Sequence, residues 1–309
     1  MSESRDQLLE ELRPRSFAIA YRMLGSVAEA EDVVQESLVR LVNAMDGDGG
    51  VDSPRAYLAT VTTRLAIDQL RSARVRREVY TGEWLPEPIV QDSSSDPATQ
   101  VEMADSLSLA FLVLLESLSP EQRAALLLHD VFDYDYSEVA GIIDKSEANT
   151  RQLTARARKH VEAKRPRFET SEAAREELAR KFFAAVEEGE IGQLETLLAH
   201  DIELHGDGGG KVPALARSLH GRNRVARTLT AWFRHSRKVP GGHVRIAQVN
   251  GQPGACLMTG ERELISVMSL DIRDGRVQAI RSIVNPDKLQ HLGPVVDLGT
   301  VLRGSSTDS

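Results

Sequence analysis

The stretch Ser137-Glu-Val-Ala-Gly-Ile-Ile-Asp-Lys-Ser-Glu-Ala-Asn-Thr-Arg-Gln-Leu-Thr-Ala-Arg-Ala-Arg-Lys-His160 decides how this chain is read. Val139, Ala140 and Ile143 share one helical face, and Asp144-Lys145-Ser146 interrupts the period. Ser146 is a good N-cap, so a second helix is predicted to start there. That helix is expected to bury Ala148, Leu153 and Ala157 and to turn Asn149, Arg151, Gln152, Arg156, Arg158 and Lys159 outward. Helix, tight turn and a cationic second helix is the layout of a DNA-binding helix-turn-helix. The candidate contacts to duplex DNA are Asn149, Thr150, Arg151, Gln152, Arg156, Arg158 and Lys159. Cations there would release counterions from phosphates, and Arg or Gln can bond base edges.

Charge outside this motif is unevenly spread. The net charge of −8 excludes a uniformly basic coat, yet Arg55 to Arg77 holds six Arg against one Asp. Lys145 to Arg167 holds eight Lys or Arg against two Glu, while Glu78 to Asp105 holds seven acids and no Lys or Arg. Local potential steers binding more than net charge does, so two basic surfaces separated by an acidic segment are expected. Cys256 is the one cysteine, which excludes an internal disulfide framework or a cysteine metal cluster. No apolar run reaches spanning length, and a cytoplasmic protein is expected.

At 309 residues the chain suits two or three domains. Residues 5 to 77 read as helical, with Ser53-Pro54 opening the helix that carries Tyr57, Leu58, Val61, Leu65 and Leu70. Residues 81 to 100, with three Pro and three consecutive Ser, read as a linker. Helices return from 101 to 165. From about 174 two helical patterns (174 to 188 and 191 to 199) precede a Gly-rich loop, His205 to Lys211, and a third helix runs from Arg222 to Arg234. Alternating segments from Val244 to Val284 then predict an antiparallel sheet, with Asp274-Gly275 as a hairpin turn.

Taken together, these segments resemble the extracytoplasmic-function sigma factors of the sigma-70 family. Ala28-Glu-Ala-Glu-Asp-Val-Val-Gln-Glu36 is similar to the acidic helix by which region 2 meets the RNA polymerase clamp. Pro54 to Arg71 is similar to the helix that reads and melts the −10 element, and Leu118 to Leu128 with the helix-turn-helix to region 4, which reads the −35 element. The family usually has Trp at Tyr57 and Asn at Arg64. The second half resembles the SnoaL-like cone, and a subgroup of these factors, the sigma-J type, carries such an extension with three short signatures. They match Trp84-Leu85-Pro86-Glu87-Pro88, Asp207-Gly208-Gly209-Gly210-Lys211 and Asn285-Pro286-Asp287-Lys288-Leu289.

The resemblance implies two all-α sigma domains and an α+β C-terminal domain. Expected boundaries are 1–80 for region 2, 81–104 for an acidic linker, 105–166 for region 4, 170–300 for the SnoaL-like domain and 301–309 for a disordered tail. Implied partners are core RNA polymerase through Glu29, Glu31, Asp32, Gln35 and Glu36, and melted −10 DNA through Arg64, Asp68, Arg71, Arg74, Arg76 and Arg77. The three signatures are expected to regulate the sigma domains in cis, with no separate anti-sigma required, and Trp84 and Leu85 to dock on the C-terminal domain. No cofactor, metal or catalytic residue is expected, since His205, Asp207, His220 and His235 show no catalytic pairing. A small ligand in the cone is a candidate partner, and the alternative function is a one-component ligand-sensing regulator.

Overall fold

A computed structural model of the chain describes residues 2–47, 50–78, 80–91, 107–162, 171–236 and 239–296. The expected tail 301–309 and most of the linker after residue 91 lie outside the described residues. The chain forms two compact units. One is Met1–Val79 with Leu112–Arg165, and the other is Tyr80–Phe111 with Pro166–Ser309. The segment read as a linker from 81 is thus grouped, as far as Phe111, with the C-terminal half.

The first unit is all helical. Helix α1 (Ser2–Leu24), α2 (Val27–Met45) and α3 (Pro54–Glu78) pack around Tyr21, Leu24, Val34, Leu41, Leu58 and Ala66. Gly25 sits at φ 68°, the left-handed conformation that closes a helix, and donates its N–H to the Tyr21 carbonyl. Ser26 then caps α2 by accepting the Glu29 N–H. A short helix α4 (Leu109–Leu115) precedes α5 (Pro120–Asp130), which opens with a capping box of Ser119 and Gln122. Helices α6 (Tyr136–Ile143) and α7 (Glu147–Glu162) form the helix-turn-helix. Asp144 takes φ 55° to end α6, a conformation Asp tolerates better than most side chains.

Four arginines tie α1 and α3 to the segment from Glu116 to Ile143. Arg123, buried, donates to the Met23 carbonyl and lies 2.9 Å from Glu116. Burial pulls its guanidinium down to about 9, but the carboxylate and the carbonyl keep a charged partner set around it. Arg15 donates to the Phe132 carbonyl at 2.8 Å and stands 5.1 Å from the Tyr134 ring. Arg64 and Arg71 of α3 complete the seam, as described below.

In the second unit, α8 (Glu172–Glu188), α9 (Ile191–Leu197) and α10 (Arg222–Ser236) cover one face of a seven-stranded sheet of order β1-β4-β5-β6-β7-β2-β3. The strands are β1 (Val90–Gln91), β2 (Leu198–Asp207), β3 (Leu219–His220), β4 (His243–Val249), β5 (Gln252–Met258), β6 (Leu264–Arg273) and β7 (Arg276–Ile283). Phe182, Phe183, Leu229, Met268, Leu270 and Ile280 belong to the core between helices and sheet.

Three expectations change here. The helix expected to 199 stops at Leu197, and β2 runs from there to Asp207, so His205 and Asp207 are strand residues and the loop begins only after them. Strand β2 pairs with β7 in parallel, so the sheet is mixed rather than purely antiparallel. The linker itself adds β1 to the sheet, Val90 opposite Val249 and Gln91 opposite Gln248. Asp274 and Gly275 turn between β6 and β7 at φ 53° and 65°, as their sequence predicts.

Candidate nucleic-acid interface

Helix α7 starts on the Ser146 side chain, which accepts the Asn149 N–H at 3.3 Å. Its inward stripe is Thr150, Thr154, Ala157 and Val161; of the expected Ala148, Leu153 and Ala157, Ala157 is fully buried and the other two are not. Ala148 is exposed and Leu153 half-buried. The two threonines can face inward because each hydroxyl returns to the carbonyl four residues back, Thr150 to Ser146 and Thr154 to Thr150, both at 3.1 Å. Thr150 is therefore fully buried and, contrary to expectation, does not share the outward face with the other candidate DNA contacts.

The outward face keeps Asn149, Arg151, Gln152, Arg156 and Lys159. Arg151 is steadied by Glu147 at 2.5 Å, one turn back, and by the Tyr136 ring at 4.4 Å. Arg158 lies apart from these: it makes a two-pronged pair with Asp130 at 2.8 and 2.5 Å, which raises its pKa and anchors α7 to α5. A guanidinium with both prongs committed to a carboxylate is poorly placed for phosphate.

The basic residues of α3 are likewise engaged. Arg64 donates from Nε to the Ile142 carbonyl and from Nη2 to the Gly141 carbonyl, both at 2.9 Å. A cation there satisfies the orphan carbonyls and complements the negative end of α6. Arg71 bridges Asp68 at 3.1 Å and Glu121 at 2.7 Å, which raises its own pKa. The backbone of α3 carries Arg74, Arg76 and Arg77 on one continuous helix, and their side chains lie outside the described residues. On α2, Val33, Val34, Ser37 and Leu41 face inward, while Glu31, Asp32, Gln35 and Glu36 share the exposed face. Glu29 is half-buried in the first turn.

The second unit brings its three signature segments to one point, the Asp207 carboxylate, which has no solvent exposure. Oδ1 accepts the Tyr80 hydroxyl at 2.6 Å and the Gly209 N–H at 3.0 Å. Oδ2 accepts the Leu85 N–H at 2.8 Å and the Lys288 ammonium at 2.7 Å. Lys288, itself buried, also donates to the Leu85 carbonyl and lies 4.3 Å from the Trp84 ring. Asn285 donates to the Tyr80 oxygen at 2.9 Å and caps the 3-10 turn Pro286–Lys288. Lys211 pairs with Asp287 at 2.5 Å. Gly209 and Gly210 adopt φ of 61° and 71°. A Cβ on them would fall 2.3 Å from the Asn285 amide and 2.9 Å from Thr81.

Further contacts hold the same segment. His205 sits between Glu83 at 2.7 Å and Glu203 at 3.1 Å, His291 bonds the Pro88 carbonyl at 2.8 Å, and Asn250 exchanges two bonds with Ile89. Tyr80, Glu83, His291 and Asn250 were not singled out in the sequence. An aromatic four residues before Trp84 was the one available signal for Tyr80.

The sequence matches the family described as Sigma-70 region 2 over residues 8–76 and that described as Sigma-70, region 4 over residues 108–161. The extracytoplasmic-function RNA polymerase sigma factor SigJ of Mycobacterium tuberculosis (strain H37Rv) is 39% identical, covering 90% of this chain and 91% of the relative. The chain belongs to the extracytoplasmic-function sigma factors.

The probable sigma factor SigI of the same species is 33% identical over 89% of this chain and 91% of its own length. The crystal structure of the M. tuberculosis sigma factor SigJ matches with a TM-score of 0.73 and 34% identity, over 92% of this chain and 98% of that one. The first unit of this sigma factor therefore carries regions 2 and 4, and its second unit is a SnoaL-like α+β domain. At the level of the family the protein is a transcription initiation factor that binds core polymerase and promoter DNA. Among the described residues no helix is long and apolar enough to cross a membrane, and no group of His, Cys, Asp and Glu is arranged to hold a metal ion.

Proposed function

We propose that this sigma factor reads −35 duplex with the exposed face of α7, opens −10 DNA along α3, and meets the polymerase clamp through Glu31, Asp32, Gln35 and Glu36. We propose further that its SnoaL-like unit regulates initiation in cis by gripping the segment that follows region 2. The Asp207 site carries this reading. Four donors converge on one buried carboxylate, and two come from Tyr80 and Leu85, in the connection between region 2 and region 4. A solvated tether would not place Leu85 at 1% exposure or spend a buried Lys288 on its carbonyl. Holding residues 80 to 91 constrains the connection between the two DNA-reading regions, which is how a grip there bears on promoter spacing. Regulation from within the chain removes the need for a separate anti-sigma protein.

The test is transcription from genomic promoter fragments with core polymerase alone and with the chain added. New promoter-specific transcripts are expected. If the chain binds duplex DNA but yields neither transcripts nor a complex with core polymerase, the reading gives way to a one-component regulator.

A further inference from the structure

The SnoaL-like unit holds a second feature, on the sheet face opposite its helices. Residues directly opposed in antiparallel strands share a face. Arg245 opposes Cys256, and Met258 opposes both His243 and Leu264. The neighbouring Ala255–Met268 pair points into the helix-covered core, so Arg245 and Cys256 point away from it. Above them, the Leu292–Pro294 loop, Arg262 and Val90 of β1 wall a cavity of about 230 Å³.

Two arginines, Arg245 and Arg262, are among the lining residues. Arg245 reaches the Cys256 sulfur at 3.7 Å, which fixes its head over the floor. Arg262 stands on a turn at φ 65°, an unusual conformation for a side chain of its size. Glu261 and Glu263 flank it, yet among the described residues neither forms an ion pair with it. The rest of the lining is Cys256 and Gly293 with the apolar side chains of Val90, Met258, Leu264, Leu292 and Pro294. Forked cations at one side and hydrocarbon at the other suit a small organic acid, the carboxylate on the arginines and a short apolar body on the wall.

We infer that this cavity binds a small carboxylate with an apolar body. The site is distinct from the interior between helices and sheet, which Phe182, Phe183 and Met268 fill. Its walls include Val90, on the strand formed by the linker, and Leu292 to Pro294, just beyond the Asn285–Leu289 signature. Occupancy would therefore favour the gripped linker.

The test titrates the full chain with hexanoate and benzoate by ligand-observed NMR, alongside hexanamide, benzamide and inorganic phosphate. Saturable binding of at least one carboxylate is expected, at least tenfold tighter than its amide and than phosphate. Arg262→Gln, on an exposed turn, should weaken it at least tenfold while leaving the unliganded melting temperature unchanged, and Arg245→Gln should weaken it at least tenfold too. Absence of saturable binding by both carboxylates would overturn the inference. Equal binding of acid and amide, or binding untouched in both variants, would overturn it too.

Discussion

At the scale of single residues, burial separates two kinds of polar side chain that look alike in sequence. Thr150 and Arg156 both lie on the polar helix α7, yet one is fully buried and the other exposed. Arg156→Ala should weaken −35 duplex binding roughly tenfold and lower the slope of log affinity against log salt by about 1. Thr150→Val should leave that slope unchanged and act on the melting temperature instead. A fluorescence-anisotropy salt series on both variants distinguishes the two. Asp207 is the other decisive residue. Asp207→Asn leaves the Lys288 ammonium buried without its counter-charge, and breaking a buried pair from one side costs about 3–5 kcal/mol. Lys288→Met in the same chain should restore part of that loss, which urea unfolding of the double-mutant cycle would show. Purely additive losses would remove the pair from the account.

Tyr80 adds a pH dependence with a definite sign. Burial first, and the bond to Asp207 second, raise its phenol above the ordinary value of 10.0. The folded chain thus holds the phenol neutral while the unfolded chain ionises it. The contribution is full below pH 10 and falls as pH rises past 10. Tyr80→Phe should cost about 1 kcal/mol at pH 8. The gap from the unaltered chain should narrow above pH 10. A gap independent of pH would show that the phenol is not held by Asp207. Neither Lys288 nor Asp207 was readable as buried, because hydropathy places charges outside and only tertiary pairing brings them in.

At the scale of elements, the helix-turn-helix was legible because three independent signals agreed: period, the Asp144 break and the Ser146 cap. Strand β2 was hidden because the helical pattern of α9 runs into it. Its own alternation, Ile202 and Leu204 inward with Glu203 between them and His205 after, is short beside that run. The phase of α7 was misjudged by a polarity rule that ignores threonine's bond to its own helix. Arg64 is the element-scale surprise. It is expected to contact −10 DNA, and in the free chain it caps α6. Arg64→Ala should speed hydrogen exchange at amides near the α6–α7 turn several-fold while leaving α2 unchanged. Equal exchange in both proteins would show that the cap contributes nothing there.

At the scale of the whole molecule, sequence resemblance gave the order of regions, and the signatures gave three of the segments that meet at Asp207. What it left out was the site where they meet, along with Tyr80 and Glu83, since convergence of residues over 200 positions apart has no local signature. The account makes the gripped linker the quantity that the SnoaL-like unit controls. The most direct measurement is start-site-mapped transcription with core polymerase, comparing the unaltered chain, Lys288→Met and a chain lacking residues 171–309. A grip that restrains initiation, in a unit that also supports initiation through other surfaces, predicts the same start site throughout, output raised several-fold by Lys288→Met, and output lowered by removal of the whole unit. Equal output from all three would contradict it.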